Sequence, residues 1–125
     1  MKKIKVAVIG VGYLGEFHAD KYHANNSVDL IGVVDSNRKR RDAISKKLNI
    51  SSFSDYTKVL DDVDAVSISV PTDLHFKIGK FFIENGKHVL MEKPFTKNLS
   101  EAIKLENIAK KKGVVLQIGH IERFN

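Results

Sequence analysis

An apolar run, Ile4-Lys5-Val6-Ala7-Val8-Ile9, breaks into Gly10, Gly12 and Gly15 just before a helix-like stretch begins. A strand that passes through a glycine turn straight into a helix has few folds open to it. Gly10 permits the tight turn, Gly12 has no Cβ to hold an anion off the backbone, and Gly15 lets the helix pack close to the strand. The unpaired N–H groups and positive dipole end of that helix then face the turn, and together they favour a phosphate. Three glycines at this spacing also occur in ordinary turns. The continuation argues for the phosphate, because a second apolar run, Val28-Asp29-Leu30-Ile31-Gly32-Val33-Val34, closes on Asp35. That acidic residue stands about twenty residues beyond Gly15, the distance a dinucleotide-binding βαβ unit requires.

Strand and helix patterns alternate along the rest of the chain. Strands are predicted over Lys3–Ile9, Val28–Val34, Ile50–Phe53, Ala65–Val70, Lys87–Met91 and Val114–Ile118. Helices are predicted over Tyr13–Ala24, Arg38–Leu48, Asp55–Leu60, Leu74–Asn85 and Leu99–Lys112. Leu14, Phe17 and Tyr22 are available to pack the first helix, Ala43, Ile44 and Leu48 the second, and Leu74, Ile78, Phe81 and Phe82 the fourth. Ser36 reads as the N-cap of the second helix, and Asn98 with Glu101 resembles a capping box for the last. Asn49, Gly86 and Gly113 mark helix ends. Strands separated by helices of this length pair in parallel with right-handed crossovers. The expected fold class is therefore α/β, a doubly wound parallel sheet in one three-layer domain over residues 1–125. Ligands in such folds bind outside the carboxyl ends of the strands. Gly10–Gly15, Asp35, Val70–His75, Glu92–Pro94 and Gly119–Asn125 all fall at such ends.

With 125 residues, 42% of them hydrophobic, the chain is long enough to bury a substantial core. It has no cysteine, which removes disulfides and thiolate metal sites, and no metal is expected. Ile4–Val11 is too short and too glycine-bounded for a signal peptide or a membrane span, so a cytoplasmic protein without membrane attachment is the default expectation. Two basic clusters, Arg38-Lys39-Arg40-Arg41 and Lys110-Lys111-Lys112, contribute to the net charge of +6. No aromatic residues interleave with these clusters to stack bases, which favours two solvated helix faces over a nucleic-acid partner. A basic surface would also gather an anionic substrate.

Asp35 is placed to accept hydrogen bonds from the adenine ribose hydroxyls and to repel a 2′-phosphate, which favours NAD over NADP. Arg38 is close enough in sequence to soften that repulsion, so NADP stays open as a second cofactor. Asp35 could instead cap the following helix. Pro71 turns the chain outward after the fourth strand, and Thr72 is a candidate cap for the helix that carries His75 in its first turn. His18, His23 and His88 read as ordinary packed or exposed residues.

Gly10-Val11-Gly12-Tyr13-Leu14-Gly15, Asp35, Pro71-Thr72-Asp73-Leu74-His75, Gly86-Lys87-His88-Val89 and Glu92-Lys93-Pro94 together carry a resemblance. The chain resembles the N-terminal domain of the glucose–fructose oxidoreductase, inositol dehydrogenase and rhizopine-catabolism family (Gfo/Idh/MocA). Glu-Lys-Pro after a glycine-lysine-histidine strand is the specific part, because many unrelated enzymes share the glycine pattern. The resemblance implies an NAD(P)-dependent oxidoreductase that transfers hydride between the nicotinamide and a hydroxyl-bearing carbon of a sugar, sugar nucleotide or cyclitol. It implies that Lys93 contacts the reacting hydroxyl, where a cation favours developing alkoxide character. The cofactor contacts it implies come from Gly10, Gly12, Tyr13, Leu14 and Gly15, from Asp35, Ser36 and Arg38, from Val70, Pro71, Thr72 and His75, and from Glu92, Lys93 and Pro94. The tail Gly119-His120-Ile121-Glu122-Arg123-Phe124-Asn125 resembles a subset of the family that includes UDP-N-acetylglucosamine 3-dehydrogenases. There His120 and Arg123 would face the substrate or the junction to the next domain.

Family members normally continue into a second α/β domain that supplies most substrate contacts, an essential histidine and commonly the oligomer interface. The expectation is therefore a cofactor-binding domain with little turnover of its own, from a homo-oligomeric enzyme. A non-catalytic dinucleotide-binding regulator or sensor is the alternative from a different functional class.

Overall fold

The structure, a computed structural model, describes residues 2–92 and 99–119, with only the backbone of Thr72, Glu92, Leu99 and Ile118. The strands are β1 (Ile4–Ile9), β2 (Val28–Val34), β3 (Ser51–Phe53), β4 (Ala65–Ile68), β5 (His88–Glu92) and β6 (Leu116–Gly119). The α-helices are α1 (Tyr13–Ala24), α2 (Arg38–Leu48), α3 (Thr72–Glu84) and α4 (Leu99–Lys112), and a 3₁₀ helix spans Tyr56–Asp62. All strand pairs are parallel, in the order β3-β2-β1-β4-β5-β6. The winding reverses between β1 and β4, which opens a crevice at the carboxyl ends of those two strands.

Register decides what stands at that crevice. Ile9 pairs with both Val34 and Ile68, Val34 with Phe53, and Ile68 with Met91, so β1, β2, β3 and β4 finish in one row and β5 runs one residue further. The ladder continues one step further through Gly10 N–H to Val34 O (2.7 Å), Asp35 N–H to Phe53 O (3.1 Å) and Ser69 N–H to Ile9 O (2.8 Å). Gly10, Asp35, Ser54 and Ser69 therefore all stand one residue past the row, on the same rim of the sheet.

Both faces of the sheet are covered, and the alternation of side chains along the strands divides the core in two. Ala7, Ile9, Val66, Ile68, Val89 and Met91 meet Ile78, Phe82 and Ile83 of α3 and Leu105 and Ala109 of α4. Val8, Leu30 and Val33 meet Ala19 of α1 and Ile44 of α2 on the opposite face. This is why β1 and β2 read as near-continuous apolar runs.

Several local expectations are corrected. Helix α1 buries Gly15 and Ala19, while Phe17 stays 43% exposed, because a helix this close to a strand has room only for small residues at the contact. The N-cap of α2 is Asn37, not Ser36: the Asn37 side chain accepts from the Arg40 N–H at 3.0 Å. Ala43 is exposed, and Leu74 is 41% exposed at the crevice edge instead of lying in the buried stripe with Ile78 and Phe82. Helix α3 starts at Thr72 itself, with Pro71 in the capping position and no side-chain cap bond, so Thr72 is inside the helix and not its cap. β1 starts at Ile4, β3 at Ser51 and β5 at His88, while β4 ends at Ile68 and β6 covers Leu116–Gly119. The 3₁₀ helix replaces the expected short helix after Asp55. Asp55 is its N-cap, and hydrogen bonds from the Thr57 N–H and hydroxyl hold the Asp55 carboxyl below its ordinary pKa. Asn98 lies outside the described residues. Among those residues, no helix is long and apolar enough to cross a membrane.

Candidate nucleotide site

The rim described above opens into a cleft of about 920 Å³. Its floor is Ile9, Gly10 and Gly12; one wall is Val34, Asp35, Ser36, Asn37 and Arg40; the other is Ser69, Val70, Pro71, Leu74, Lys77 and Ile78, with Ser54 and Tyr56 at the back.

The three glycines do different jobs there. Gly10 has φ +91°, and a Cβ on it would stand 2.8 Å from the Ser69 carbonyl oxygen, so conformation and space both demand glycine. A Cβ on Gly15 would fall 1.7 Å from the Gly10 carbonyl oxygen, so the helix is pressed against its own entry turn. Gly12 is otherwise: its φ of −68° suits any residue, and a Cβ there would meet only Arg40 Nη1, at 3.1 Å. Among the described residues, only that flexible side chain stands over Gly12 on the cleft side, and no side chain caps the amino end of α1 at this point.

Asp35 ties the turn to β2. One carboxylate oxygen accepts the Val11 N–H and the other the Asn37 N–H, each at 2.8 Å. It therefore does bond near the start of the next helix, as its simpler reading allowed, and it also fixes the glycine turn. A carboxylate has about four lone-pair sites, so capacity for two ribose hydroxyls remains.

Arg38 is not at the cleft. It runs along α2 to Asp42 at 3.4 Å, with its side chain 84% exposed. Arg41 donates to the carbonyls of Asp35 and Ser36. Arg40, which the sequence reading placed on a solvated basic face, lines the cleft instead. Ser54, Tyr56, Ser69 and Lys77 also line it without having been expected to, and Leu74, read as a buried packing residue, stands there too. Ser54, Tyr56, Ser69 and Lys77 belong to no spacing motif, and only the strand register that brings β3 and β4 to one row could have pointed to Ser54 and Ser69.

The remaining expected residues divide as follows. Gly10, Gly12, Asp35, Ser36, Val70 and Pro71 come together around the cleft. Tyr13 stands 95% exposed beside it, Leu14 is half-buried, and Gly15 lies beneath the turn. The backbone of Thr72 starts α3, and that of Glu92 ends β5 on the same rim. Lys93, Pro94, His120 and Arg123 lie outside the described residues.

His75 is behind the wall, 3% exposed, with Nε2 2.8 Å from the Val70 carbonyl oxygen. A carbonyl only accepts, so Nε2 carries the hydrogen, and Nδ1 is buried without a partner among the described residues. His75 thus pins the Val70-Pro71 turn. His75→Phe is expected to lower stability by about 1–2 kcal/mol, measured by urea denaturation, through the loss of that bond. An unchanged denaturation midpoint would remove the pinning role.

Residues 4–120 match the oxidoreductase family GFO_IDH_MocA, described by its NAD-binding Rossmann fold. The chain belongs to this family. Among its Gfo/Idh/MocA relatives is the UDP-N-acetylglucosamine 3-dehydrogenase of Acidithiobacillus ferrooxidans, 42% identical over all of this chain and 39% of that protein. The solved structure of that enzyme superposes with a TM-score of 0.91 over 98% of this chain and 40% of its own. The scyllo-inositol 2-dehydrogenase (NAD(+)) of Bacillus subtilis is 34% identical over 98% of this chain and 37% of its own length. GenD2 from gentamicin A biosynthesis, solved in complex with NAD, is 30% identical with a TM-score of 0.92 over 95% of this chain and 35% of that one. The chain thus spans about two fifths of the length of these Gfo/Idh/MocA relatives.

Proposed function

We propose that this chain is the cofactor-binding part of an NAD-dependent dehydrogenase that oxidises a hydroxyl-bearing carbon of a sugar, with a nucleotide sugar as the favoured class. The observation that carries the reading is the Cβ-free backbone at Gly12, over which only the flexible Arg40 side chain stands among the described residues. It lies at the uncapped amino end of α1, flanked by a carboxylate, at the point where the sheet reverses its winding. A diphosphate fits there against N–H groups and the helix dipole, and an adenosine ribose fits beside Asp35. The relative that acts on UDP-N-acetylglucosamine, at 42% identity, favours the nucleotide-sugar class over a cyclitol.

When bound, the nicotinamide supplies the hydride acceptor. The chain supplies orientation and charge. The Gly10–Gly15 turn holds the diphosphate, Asp35 holds the ribose, and the His75-pinned Val70-Pro71 turn closes the second wall. Lys93, next in sequence to the Glu92 that ends β5, donates to the reacting hydroxyl and lowers the cost of alkoxide character on its oxygen.

The chain contains no tryptophan, so emission from bound NADH can be read without indole background. A saturable rise in that emission on titration is expected, and a linear response with no saturation would refute the nucleotide site. For the catalytic part, a chain of the relatives' length is expected to reduce NAD in the presence of UDP-N-acetylglucosamine. Lys93→Met should abolish this while leaving NADH binding intact, and retained turnover in that variant would remove the lysine's role.

A further inference from the structure

Helix α1 carries a carboxylate close to where a diphosphate would be received. Glu16 stands in its first turn, with its N–H bonded to the Gly12 carbonyl at 2.9 Å, and Asp20 follows one turn later on the same side. A carboxylate in that turn answers the same positive helix end that a diphosphate answers, so the two compete for it and repel each other. The fold sets a cation against them from the far end of another helix. Lys47, in the last turn of α2, places Nζ 2.9 Å from Glu16 Oε2 and 3.0 Å from Asp20 Oδ1. The hydrogen bonds to Glu16 and then to Asp20 hold the Lys47 ammonium above its ordinary pKa, so it stays charged. The contact to Glu16 spans 31 residues of chain, and no spacing motif announces it.

We propose that Lys47 is a positioning residue for the cofactor: it draws the Glu16 carboxylate toward α2 and offsets its charge, which leaves the amino end of α1 free to take a diphosphate. The inference rests on the dinucleotide reading of the cleft. All three side chains are about half exposed, and ion pairs that exposed add little to stability, so the consequence of the contact falls on the ligand more than on the fold. Glu16 lies one helical turn beyond Gly12, about 5.4 Å along the axis, which is within the reach of a charge at low salt. Glu16, Asp20 and Lys47 together carry one net negative charge. Without Lys47 they carry two, and without both Lys47 and Glu16 they carry one again.

The test is fluorescence titration of the chain with NADH at low and high salt, with adenosine as a phosphate-free competitor and a melting curve on each variant. Lys47→Met should weaken NADH by roughly fourfold at about 20 mM salt and by less than about 1.5-fold at about 0.5 M, where screening shortens the reach of each charge to a few ångströms. The affinity for adenosine should not change, and the melting temperature should stay close to the parent's. Combining Lys47→Met with Glu16→Gln should return NADH affinity to within about 1.5-fold of the parent's, and Lys47→Arg should retain it. Unchanged NADH affinity in Lys47→Met at low salt would overturn the proposal. So would a loss that persists at high salt or in the double variant, a loss that adenosine shares, or a large fall in melting temperature, since each would make Lys47 a packing contact between α1 and α2. A parent chain that binds no NADH at either salt would instead overturn the dinucleotide reading itself, and the proposal with it.

Discussion

Gly15→Ala is expected to prevent the chain from reaching its native fold. The added methyl would lie 1.7 Å from the Gly10 carbonyl oxygen and 2.7 Å from its carbon, and both are backbone atoms that no rotamer change can move. Relief requires α1 to lift off β1, which breaks the contact made by Ala19 and opens the cluster of Val8, Val11, Leu30 and Val33. Overpacking a core with one or two methylenes costs about 1–3 kcal/mol when side chains can adjust. A clash with main chain costs more, against a total stability of only about 5–15 kcal/mol for a domain. Far-UV circular dichroism and a thermal melt check this. A Gly15→Ala variant with the parent's melting temperature would mean that α1 does not pack against its entry turn.

Gly12→Val, three residues earlier, is expected to do the reverse: keep the fold and lose the ligand. The Gly12 backbone, at φ −68° and ψ −161°, is open to any L-residue, and among the described residues the only atom near its Cβ position belongs to the flexible Arg40 side chain. Valine is a poor helix cap, which costs about 1 kcal/mol. The same side chain fills the space through which a diphosphate would approach the amides of α1. Losing two charge-assisted hydrogen bonds corresponds to roughly a hundredfold or greater fall in NADH affinity. Fluorescence titration beside a thermal melt separates the two effects. A Gly12→Val variant that melts close to the parent and still binds NADH normally would show that the diphosphate lies elsewhere.

These two substitutions show how differently glycines of one motif are constrained. The spacing of Gly10, Gly12 and Gly15 announced a strand, a turn and a helix, because each residue answers a local geometric need. The alternation of apolar runs with helical stretches announced the parallel sheet for the same reason, and the helix ends at Asn49, Gly86 and Gly113 were legible from turn chemistry, each with positive φ. Packing was less legible. Phe17 and Leu74 had the right spacing for a buried face, but the sheet is approached by Gly15 and Ala19 in one helix, and Leu74 lies at the cleft edge before the buried Ile78, Phe82 and Ile83 of the other. Hydrophobic periodicity gives a stripe on a helix; it does not give the distance of that helix from its neighbour. His75 illustrates the same limit. Its place at the start of α3 was visible, but its role, a bond to Val70 behind the cleft wall, depends on where the preceding turn folds back.

The order of the elements, the phosphate-sized opening at the first turn and the acidic residue beside it were determined by the chain's own pattern, because backbone sterics and side-chain period act over a few residues. Only the tertiary structure decided which of Arg38, Arg40 and Arg41 faces the cleft, that Asp35 braces the turn, and that Ser54 and Ser69 share its rim. Those outcomes depend on the rotational setting of α2 and on the register of β3 and β4 against their neighbours. Both are fixed by contacts between segments far apart in the chain.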